Sequence, residues 1–245
     1  IKSSFHLEPL YPSLPRVIVL EEQEIRDAVR NALREDVGTG DVTTLACVPP
    51  DRMARAALRA REPLVVAGLA FAREAFLQES PNVRFEESHH DGDRLPAGDV
   101  ALEISGPARA LLTAERVALN YVQRLSGVAT ATARFVEAVH GTRARILDTR
   151  KTTPGWRRFE KYAVACGGGT NHRTGLYDLV LIKDNHLAAL ADATPNAIAA
   201  AVRRARDAWP SLRVEVEVDT LAQLDQAVAA GADIILLDNM SLEEL

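Results

Sequence analysis

The sequence contains no apolar run that approaches the roughly 20 residues needed to span a bilayer, so it predicts no transmembrane segment. The N-terminal segment IKSSFHLEPLYPSLP is broken by prolines and lacks the continuous apolar region of a secretory signal. Because the first residue is isoleucine, we expect that the natural chain begins upstream of it. These absences predict a cytoplasmic protein without a membrane partner.

Cysteines and runs of basic residues are also scarce. Cys47 and Cys166 are the two cysteines and form no CxxC or CxxH pattern, which is typical of a reducing compartment and predicts no structural zinc. A formal net charge of −5 without a basic tract argues against nucleic acid as a partner. Cys166 lies near basic residues, but the sequence supplies no dedicated base, so we interpret it as a small packed residue rather than a nucleophile.

The rest of the composition is that of a globular protein. Hydrophobic residues make up 47% and charged residues 26% of the chain, which excludes disorder as the main state. On the usual scale of about 100–200 residues per domain, the chain forms one large or two ordinary domains.

The first half of the chain predicts an α+β layer. Apolar residues at helical spacing predict a helix over 22–34, and alternation between turn residues predicts strands within 53–110. A short helix over 69–78 fits between the strands.

Two segments of this half have alternative interpretations. The glycine-rich EDVGTGDVTT could cradle a phosphate, but it lacks a preceding strand and a following lysine, so we interpret it as a turn. His89, His90 and Asp91 could hold a metal, but adjacent side chains diverge and Gly-Asp follows them. A solvated hairpin tip is the better interpretation.

The longest helical pattern runs over 113–141. Thr113 suits its N-cap, and Gly141 suits the C′ position after its end. Small side chains on this helix would let another backbone approach closely: Ser126, Gly127, Ala129, Ala131 and Ala133. We place a domain boundary at the start of this helix, which gives domains over 1–112 and 113–245.

Strands and helices alternate in the second domain. Short apolar segments predict strands that end at Leu147, Ile182, Val218 and Leu237. Helical segments separate them at 156–166, 194–208 and 220–230. Repeated βα units predict parallel strands with right-handed crossovers, in an open sheet or a closed barrel.

Charged residues lie at or just beyond the end of each of these four strands. They are Asp148, Arg150 and Lys151; Lys183 and Asp184; Glu217 and Asp219; and Asp238. Ligands bind at this end of parallel strands. Because an unpaired buried charge costs several kcal/mol, the cationic stretch 146–186 predicts an anion-binding active site. A salt-bridged barrel interior is the alternative, and Glu215 and Glu217 share one strand face in either case.

Ordered motifs give the chain a family resemblance over about residues 22–240. They are EDVGTGDVTT, ERVALNYVQRLSGVAT, DTRKTTPGWR, GGGTNHRTGLYD, LIKDNH, EVEVD and ILLDN. In these motifs the chain resembles the quinolinate phosphoribosyltransferase family. The resemblance implies an α/β fold, with an N-terminal α/β sandwich domain followed by an incomplete α/β-barrel-like domain. Relatives continue beyond ILLDN, so we expect the rest of the barrel to lie beyond Leu245.

The resemblance also implies the activity, that of a pentosyltransferase of NAD biosynthesis. Quinolinate and phosphoribosyl pyrophosphate would give nicotinate mononucleotide, pyrophosphate and CO2, with Mg²⁺ as cofactor. The implied quinolinate cradle consists of Arg150, Lys151, His172, Arg173 and Lys183. Glu217 and Asp238 would bind the ribose hydroxyls and Mg²⁺, directly or through water. The implied catalytic residues are Lys151, Lys183, Glu217 and Asp238.

Arg116 would complete the neighbouring active site of a homodimer, by the same resemblance. Two other functions stay open on the residues alone. Lys183 could form a Schiff base, as in barrel aldolases, or the chain could be a sensor that binds anions without turning them over.

Overall fold

The computed structural model describes residues 18–245, which form two compact units, residues 18–172 and Arg173–Leu245. The first unit contains α1 (Glu22–Val37), α2 (Val42–Cys47), β1 (Met53–Arg59), β2 (Leu64–Val65), α3 (Leu69–Glu79), β3 (Arg84–Glu87), β4 (Arg94–Leu95), β5 (Val100–Pro107), α4 (Ala108–Ala138) and α5 (Arg157–Cys166). The second contains β6 (Val180–Ile182), α6 (Asp184–Ala188), α7 (Ala197–Ala208), β7 (Val214–Val218), α8 (Leu221–Ala229) and β8 (Ile234–Leu237). Within residues 18–245, no helix is long and apolar enough to cross a membrane. The predicted boundary at residue 113 stays a prediction.

An antiparallel sheet and the four helices α1, α3, α4 and α5 form the core of the first unit. The strand order is β1-β5-β3, and β2 pairs separately with β4. Leu102 and Ile104 of the central strand β5 are buried in one cluster with Phe71 and Phe76 of α3. The predicted strands over 53–110 and the short helix between them are therefore confirmed.

The long helix α4 begins earlier than predicted. It starts at Ala108 after Pro107, so Thr113 lies inside the helix and is not its N-cap. The Thr113 hydroxyl instead donates to Asp41 Oδ2 at 3.2 Å. The helix ends at Ala138, and Val139 rather than Gly141 follows its last turn. Threonine suits a helix start, but a hydroxyl can also bind a neighbouring element, which is its role here.

Small residues of α4 allow close packing, as predicted. Ser126 Oγ bonds the backbone of Ala67, accepting from its N–H at 3.0 Å. A Cβ on Gly167, which follows α5, would lie 2.3 Å from the carbonyl oxygen of Ala129. Gly167 therefore fits directly against the backbone of α4, whereas the next two glycines meet side chains of this helix, those of Val136 and Thr132. By contrast, Gly127 faces open space and Ala131 is exposed, so these two residues do not match the prediction.

Asp91 is a helix cap rather than the tip of a solvated hairpin. Its carboxylate accepts the backbone N–H groups of Gly68 (2.9 Å) and Leu69 (3.0 Å) at the start of α3. The hydroxyl of Tyr162 donates to the same carboxylate at 2.8 Å. Only the neighbouring His90 matches the predicted exposure, with 84% of its side chain accessible.

The second unit is built on a parallel sheet in the order β6-β7-β8. Val214, Val216 and Val218 of β7 are fully buried in one cluster with residues of α7 and α8. Because side chains alternate along a strand, Glu215 and Glu217 lie on the other face of the sheet. The predicted strands ending at Ile182, Val218 and Leu237 are confirmed.

The prediction of a strand that ends at Leu147 is wrong. This segment forms only an isolated parallel bridge between Leu147 and Thr170. Two hydrogen bonds frame the bridge, from Thr170 N to Ile146 O and from Asp148 N to Thr170 O. Residues 141–145 before it are exposed, so no buried face holds a longer ladder in place.

Candidate active site

Three strands of the second unit deliver charged side chains to one edge of the sheet. Lys183 directly follows β6, Glu217 is the next-to-last residue of β7, and Asp238 directly follows β8. Lys183 Nζ forms an ion pair with Glu217 Oε2. Side-chain exposure is 41% for the lysine and 14% for the glutamate, so the pair opens to solvent through its cationic end.

Asp238 is held by the end of the sheet. Its backbone N–H donates to Val218 O at 2.9 Å, which continues the ladder between β7 and β8. Its carboxylate accepts from the amide of Asn239 at 3.0 Å, and Asn239 has a positive φ of 54°. Asparagine tolerates this conformation better than most residues. Of the predicted site residues, the carboxyl edge thus presents one ammonium and two carboxylates.

Arg173 opens the second unit and is 7% exposed. Its Nη1 donates to Leu179 O at 3.4 Å. The intervening turn is closed by Asp178, which accepts the N–H groups of Thr174 (2.7 Å) and Gly175 (3.0 Å). Burial raises the pKa of Asp178, but these backbone donors outweigh it and hold the pKa below its usual value.

A buried network in the first unit centres on Asp148. Its carboxylate is ion-paired with Lys161 Nζ and accepts the amide of Asn171 at 2.7 Å. It also accepts the backbone N–H of His172 at 2.7 Å. Lys161 in turn donates to His172 O at 3.0 Å. The segment that leads into His172 is thus fixed by side chains from two other parts of the unit.

Arg150 carries an unsatisfied donor. Its Nε is buried and has no hydrogen-bond partner among the described residues. The Arg150 carbonyl accepts from Thr152 Oγ1 at 3.4 Å and from Arg157 Nη2 at 3.5 Å, so its main chain is held in place. Because buried donors are nearly always paired, this guanidinium nitrogen offers a hydrogen bond to an anion or to a water molecule.

Glu160 fixes the loop that follows Arg150. Its carboxylate accepts the N–H and hydroxyl of Thr153, at 3.1 and 2.8 Å, and pairs with Arg124. Burial raises the pKa of Glu160, but the hydrogen bonds from Arg124 and Thr153 outweigh it and lower the pKa overall. The loop is therefore anchored through a charged acceptor on α5.

Lys151 and Arg116 are the most open of the predicted site residues. Both are exposed, and neither side chain has a hydrogen bond or ion pair within residues 18–245. Arg116 lies on α4, in the first unit together with Arg150, Lys151 and His172. The second unit holds the other four predicted residues, and brings Lys183 and Glu217 into contact. The assignment of these eight residues to one site stays a prediction.

Lys161 and Asn171 were not predicted from the sequence. A lysine on an amphipathic helix suggests a solvated position, yet Lys161 is only 1% exposed. Helical spacing gave no signal, because Lys161 lies two residues from both Phe159 and Ala163 and does not share their face of α5. Such a lysine needs an acidic partner, and Asp148 was available at the start of the same cationic stretch.

Cys166 matches its interpretation as a packed residue. Burial and the nearby Asp91 raise the pKa of its thiol to about 11. A thiol with a raised pKa is a poor nucleophile at neutral pH, because only the thiolate attacks.

A cavity of about 360 Å³ lies elsewhere in the first unit. Its lining includes Leu69 and Leu77 of α3, both adjacent histidines and Tyr162. None of the predicted site residues lines it, so we do not place the site there.

Parallel strands that alternate with helices and carry charged side chains at their carboxyl ends are typical of α/β proteins that bind a ligand at this edge of the sheet. Two family models match the chain: quinolinate phosphoribosyl transferase, N-terminal domain, over residues 41–126, and the C-terminal domain of the same family over residues 128–245. The chain belongs to the quinolinate phosphoribosyltransferase family.

Curated relatives and solved structures agree with this assignment. A nicotinate-nucleotide pyrophosphorylase (carboxylating) of Mycobacterium leprae is 47% identical over 219 residues, which cover 87% of this chain and 75% of that protein. A probable enzyme of the same name from Bacillus subtilis is 44% identical over 217 residues, covering 88% and 73%. The structure of the nicotinate-nucleotide pyrophosphorylase from Francisella tularensis matches with a TM-score of 0.88 and 40% identity, over 95% of this chain and 80% of that one.

Proposed function

We propose that this chain transfers the phosphoribosyl group of phosphoribosyl pyrophosphate to quinolinate, with loss of CO2, to form nicotinate mononucleotide. Membership of the family and the names of its relatives support this activity. The structural observation that carries the proposal is the edge formed by Lys183, Glu217 and Asp238. At this edge the ammonium of Lys183 suits the anionic acceptor quinolinate. The carboxylates of Glu217 and Asp238 suit the positive charge that develops on the sugar.

Quinolinate is a planar dianion, which suits guanidinium and ammonium donors. We assign its carboxylates to Arg150, Lys151, His172, Arg173 and Lys183. The orphaned Nε of Arg150 supports this assignment, because a bound carboxylate would supply the acceptor that the described residues do not. Lys183 would contribute through its exposed end while Glu217 holds it in position.

The sugar half of the site falls to Glu217 and Asp238. Ribose hydroxyls are donors that a carboxylate can accept. Carboxylate oxygens are also suitable ligands for Mg²⁺, which takes one or two of them together with substrate phosphates and water. No group of three or more His, Cys, Asp or Glu within residues 18–245 is placed to hold a metal by itself. Two carboxylates beside a diphosphate would therefore be the fitting arrangement, in which Mg²⁺ would neutralise the leaving group.

The first chemical step would form the N-glycosidic bond. The pyridine nitrogen of quinolinate donates its lone pair to the anomeric carbon, and the bond from that carbon to the pyrophosphate oxygen breaks. Positive charge develops on the ribose in the transition state, so Glu217 and Asp238 would stabilise it electrostatically. The cationic cradle would hold the ring nitrogen in line with the leaving group.

The second step would break the bond between the ring and the adjacent carboxylate. The electron pair left on the ring carbon is stabilised by the neighbouring quaternary nitrogen, CO2 departs, and a proton completes the product. Lys183 is our candidate to steady or protonate that carbanion, because its ammonium lies at the strand edge as a proton donor. No covalent nucleophile on the protein is needed, which agrees with the raised pKa of Cys166.

We also propose a homodimer in which Arg116 reaches the partner's site. Its exposure on α4 and its lack of a partner within residues 18–245 leave it available for this role. The cytoplasmic location stays a prediction.

The test is an assay of CO2 release and nicotinate mononucleotide formation with quinolinate, phosphoribosyl pyrophosphate and Mg²⁺. Nicotinate serves as the control acceptor, because it lacks the carboxylate that is lost. Glu217→Gln should reduce turnover strongly, whereas Glu86→Gln, at an exposed position of β3, should leave it unchanged. Turnover by Glu217→Gln at the normal rate would contradict the assignment.

The alternative functions have their own signatures in the same experiments. A Schiff-base lysine reacts as the free amine, whereas the ion pair of Lys183 with Glu217 suits a charged ammonium. Trapping of Lys183 by borohydride with a carbonyl substrate would favour the aldolase. Quinolinate binding without CO2 release would favour the sensor.

A further inference from the structure

Lys161 is the most deeply buried charged side chain of the first unit, with 1% of its side chain exposed. Its partner Asp148 has 7% of its side chain exposed. A buried ion pair is a weak source of stability, because desolvation of both charges offsets their attraction. Apolar residues of similar volume could fill the same space without this cost, so packing alone does not account for the ion pair.

The geometry of the pair points to His172. Asp148 Oδ1 accepts the backbone N–H of His172 at 2.7 Å, and Lys161 Nζ donates to the carbonyl oxygen of the same residue at 3.0 Å. Both main-chain hydrogen-bonding groups of one residue are thus held by the two members of one ion pair. These two hydrogen bonds fix the main chain of His172, and with it the position from which its side chain extends.

Asn171 extends the anchor by one residue. Its Nδ2 donates to Asp148 Oδ2 at 2.7 Å and to Lys161 O at 2.8 Å. Its Oδ1 accepts the N–H of Ile18 at 3.1 Å. Because Asn171 is 3% exposed, these bonds are shielded from competing water. The chain therefore enters His172 along a fixed path.

We propose that Lys161 and Asp148 are positioning residues that place His172 for binding the acid substrate. This inference rests on the proposed function, in which His172 contacts quinolinate. Neither residue touches the substrate; each acts through the main chain of His172. Catalytic geometry tolerates little displacement, and a shift of about 1 Å can reduce a rate about 10²-fold.

Lys161→Met is the principal variant, since methionine has a similar length without the ammonium donor. Asp148→Asn is the second variant, because it keeps the size of the side chain and removes its charge. The matched control is Asp233→Asn. Asp233 also accepts a backbone N–H, from Val214 at 2.7 Å, and pairs with Arg206 at 3.2 Å, but at the opposite end of β7 and outside the predicted site.

Binding of quinolinate to the whole chain is measured by isothermal titration, and KM is measured for both substrates. We expect Lys161→Met to weaken quinolinate binding and to reduce kcat/KM for quinolinate about 10²-fold. Asp148→Asn should change both quantities in the same direction. The KM for phosphoribosyl pyrophosphate should stay unchanged in both. Asp233→Asn should lower the melting temperature and keep normal quinolinate affinity. Normal affinity in a folded Lys161→Met protein, or an equal loss in the control, would overturn the inference.

Amide hydrogen exchange separates this inference from the proposed function. If the unmodified protein neither binds nor converts quinolinate, the proposed function fails, and exchange at residues 170–172 decides the positioning role. Faster exchange confined to this segment in Lys161→Met and Asp148→Asn would support it, because local opening exposes the anchored amides. Unchanged exchange in both would refute it.

Discussion

Gly167 separates α5 from the segment that carries His172, and its replacement by alanine tests how closely that segment packs on α4. A Cβ at this position would lie 2.3 Å from Ala129 O and 2.7 Å from Thr132 Cβ. The first contact is with backbone, which cannot turn aside as a flexible side chain can. Gly167 has an ordinary φ of −77°, so the penalty would be steric and not conformational.

The size of the effect follows from the cost of overpacking. Extra methyl groups in a packed interior cost about 1–3 kcal/mol, and contact with a backbone oxygen places Gly167→Ala at about the upper value. For a chain of 150–250 residues, each kcal/mol shifts the melting temperature by about 2–4 °C. We therefore expect a decrease of roughly 6–12 °C, measured by scanning calorimetry, and weaker quinolinate binding if the shift reaches His172.

Gly127→Ala is the control, because Gly127 lies in α4, the helix against which Gly167 packs. Gly127 lies within α4, and a methyl group added there would have nothing within 4 Å, so alanine should stabilise the helix by about 0.5–1 kcal/mol. The two substitutions make the same chemical change and should move the melting temperature in opposite directions. A Gly167→Ala protein as stable as the unmodified one would refute the close approach of this turn to α4.

Three further predictions follow from the site and its surroundings. Because the pKa of Asp178 is lower in the folded chain, its carboxylate adds stability above the unfolded pKa of about 4 and loses it as pH falls through the folded pKa. Asp178→Asn should therefore lower the free energy of unfolding in urea at neutral pH, and the difference should vanish in acid; a constant difference would contradict the role of the charge. Exposed Cys47 should react with iodoacetamide at about pH 8 before Cys166 does, since burial raises the pKa of the latter, and peptide mass mapping would reveal the reverse order. Arg116→Ala and Lys183→Ala should each abolish turnover, yet regain part of it when co-expressed, and no recovery in mixed dimers would count against shared active sites.

Helices were predictable where apolar spacing and end signals agreed. The helix expected over 220–230 is α8, and Thr220 caps it by accepting the N–H of Gln223 at 3.2 Å. The helix expected over 194–208 begins later, at Ala197, because Asn196 is its N-cap. Local side chains decide these ends, so the sequence contains the needed information.

The strand that was predicted to end at Leu147 could not be judged from local signals in the same way. A short apolar run predicts a strand only if another strand offers a ladder, and the partner here is a single residue, Thr170. The bridge leads into Asp148, whose carboxylate pairs with Lys161 and does not stand at the end of a strand. The place of this stretch in the binding site stays a prediction.

The same distinction explains why Lys161 escaped prediction while Lys183 did not. Lys183 follows a strand, and the position of a strand end is local information. Lys161 lies 13 residues from Asp148 along the chain, and only the fold brings its ammonium to that carboxylate. Sequence patterns therefore reveal charged residues that directly follow a strand. They miss residues whose side chains hold the main chain of a distant segment in place. Lys161 shows how such a residue can be recognised in a structure. Its ammonium is buried, and beside its carboxylate partner it bonds a backbone carbonyl oxygen, that of His172.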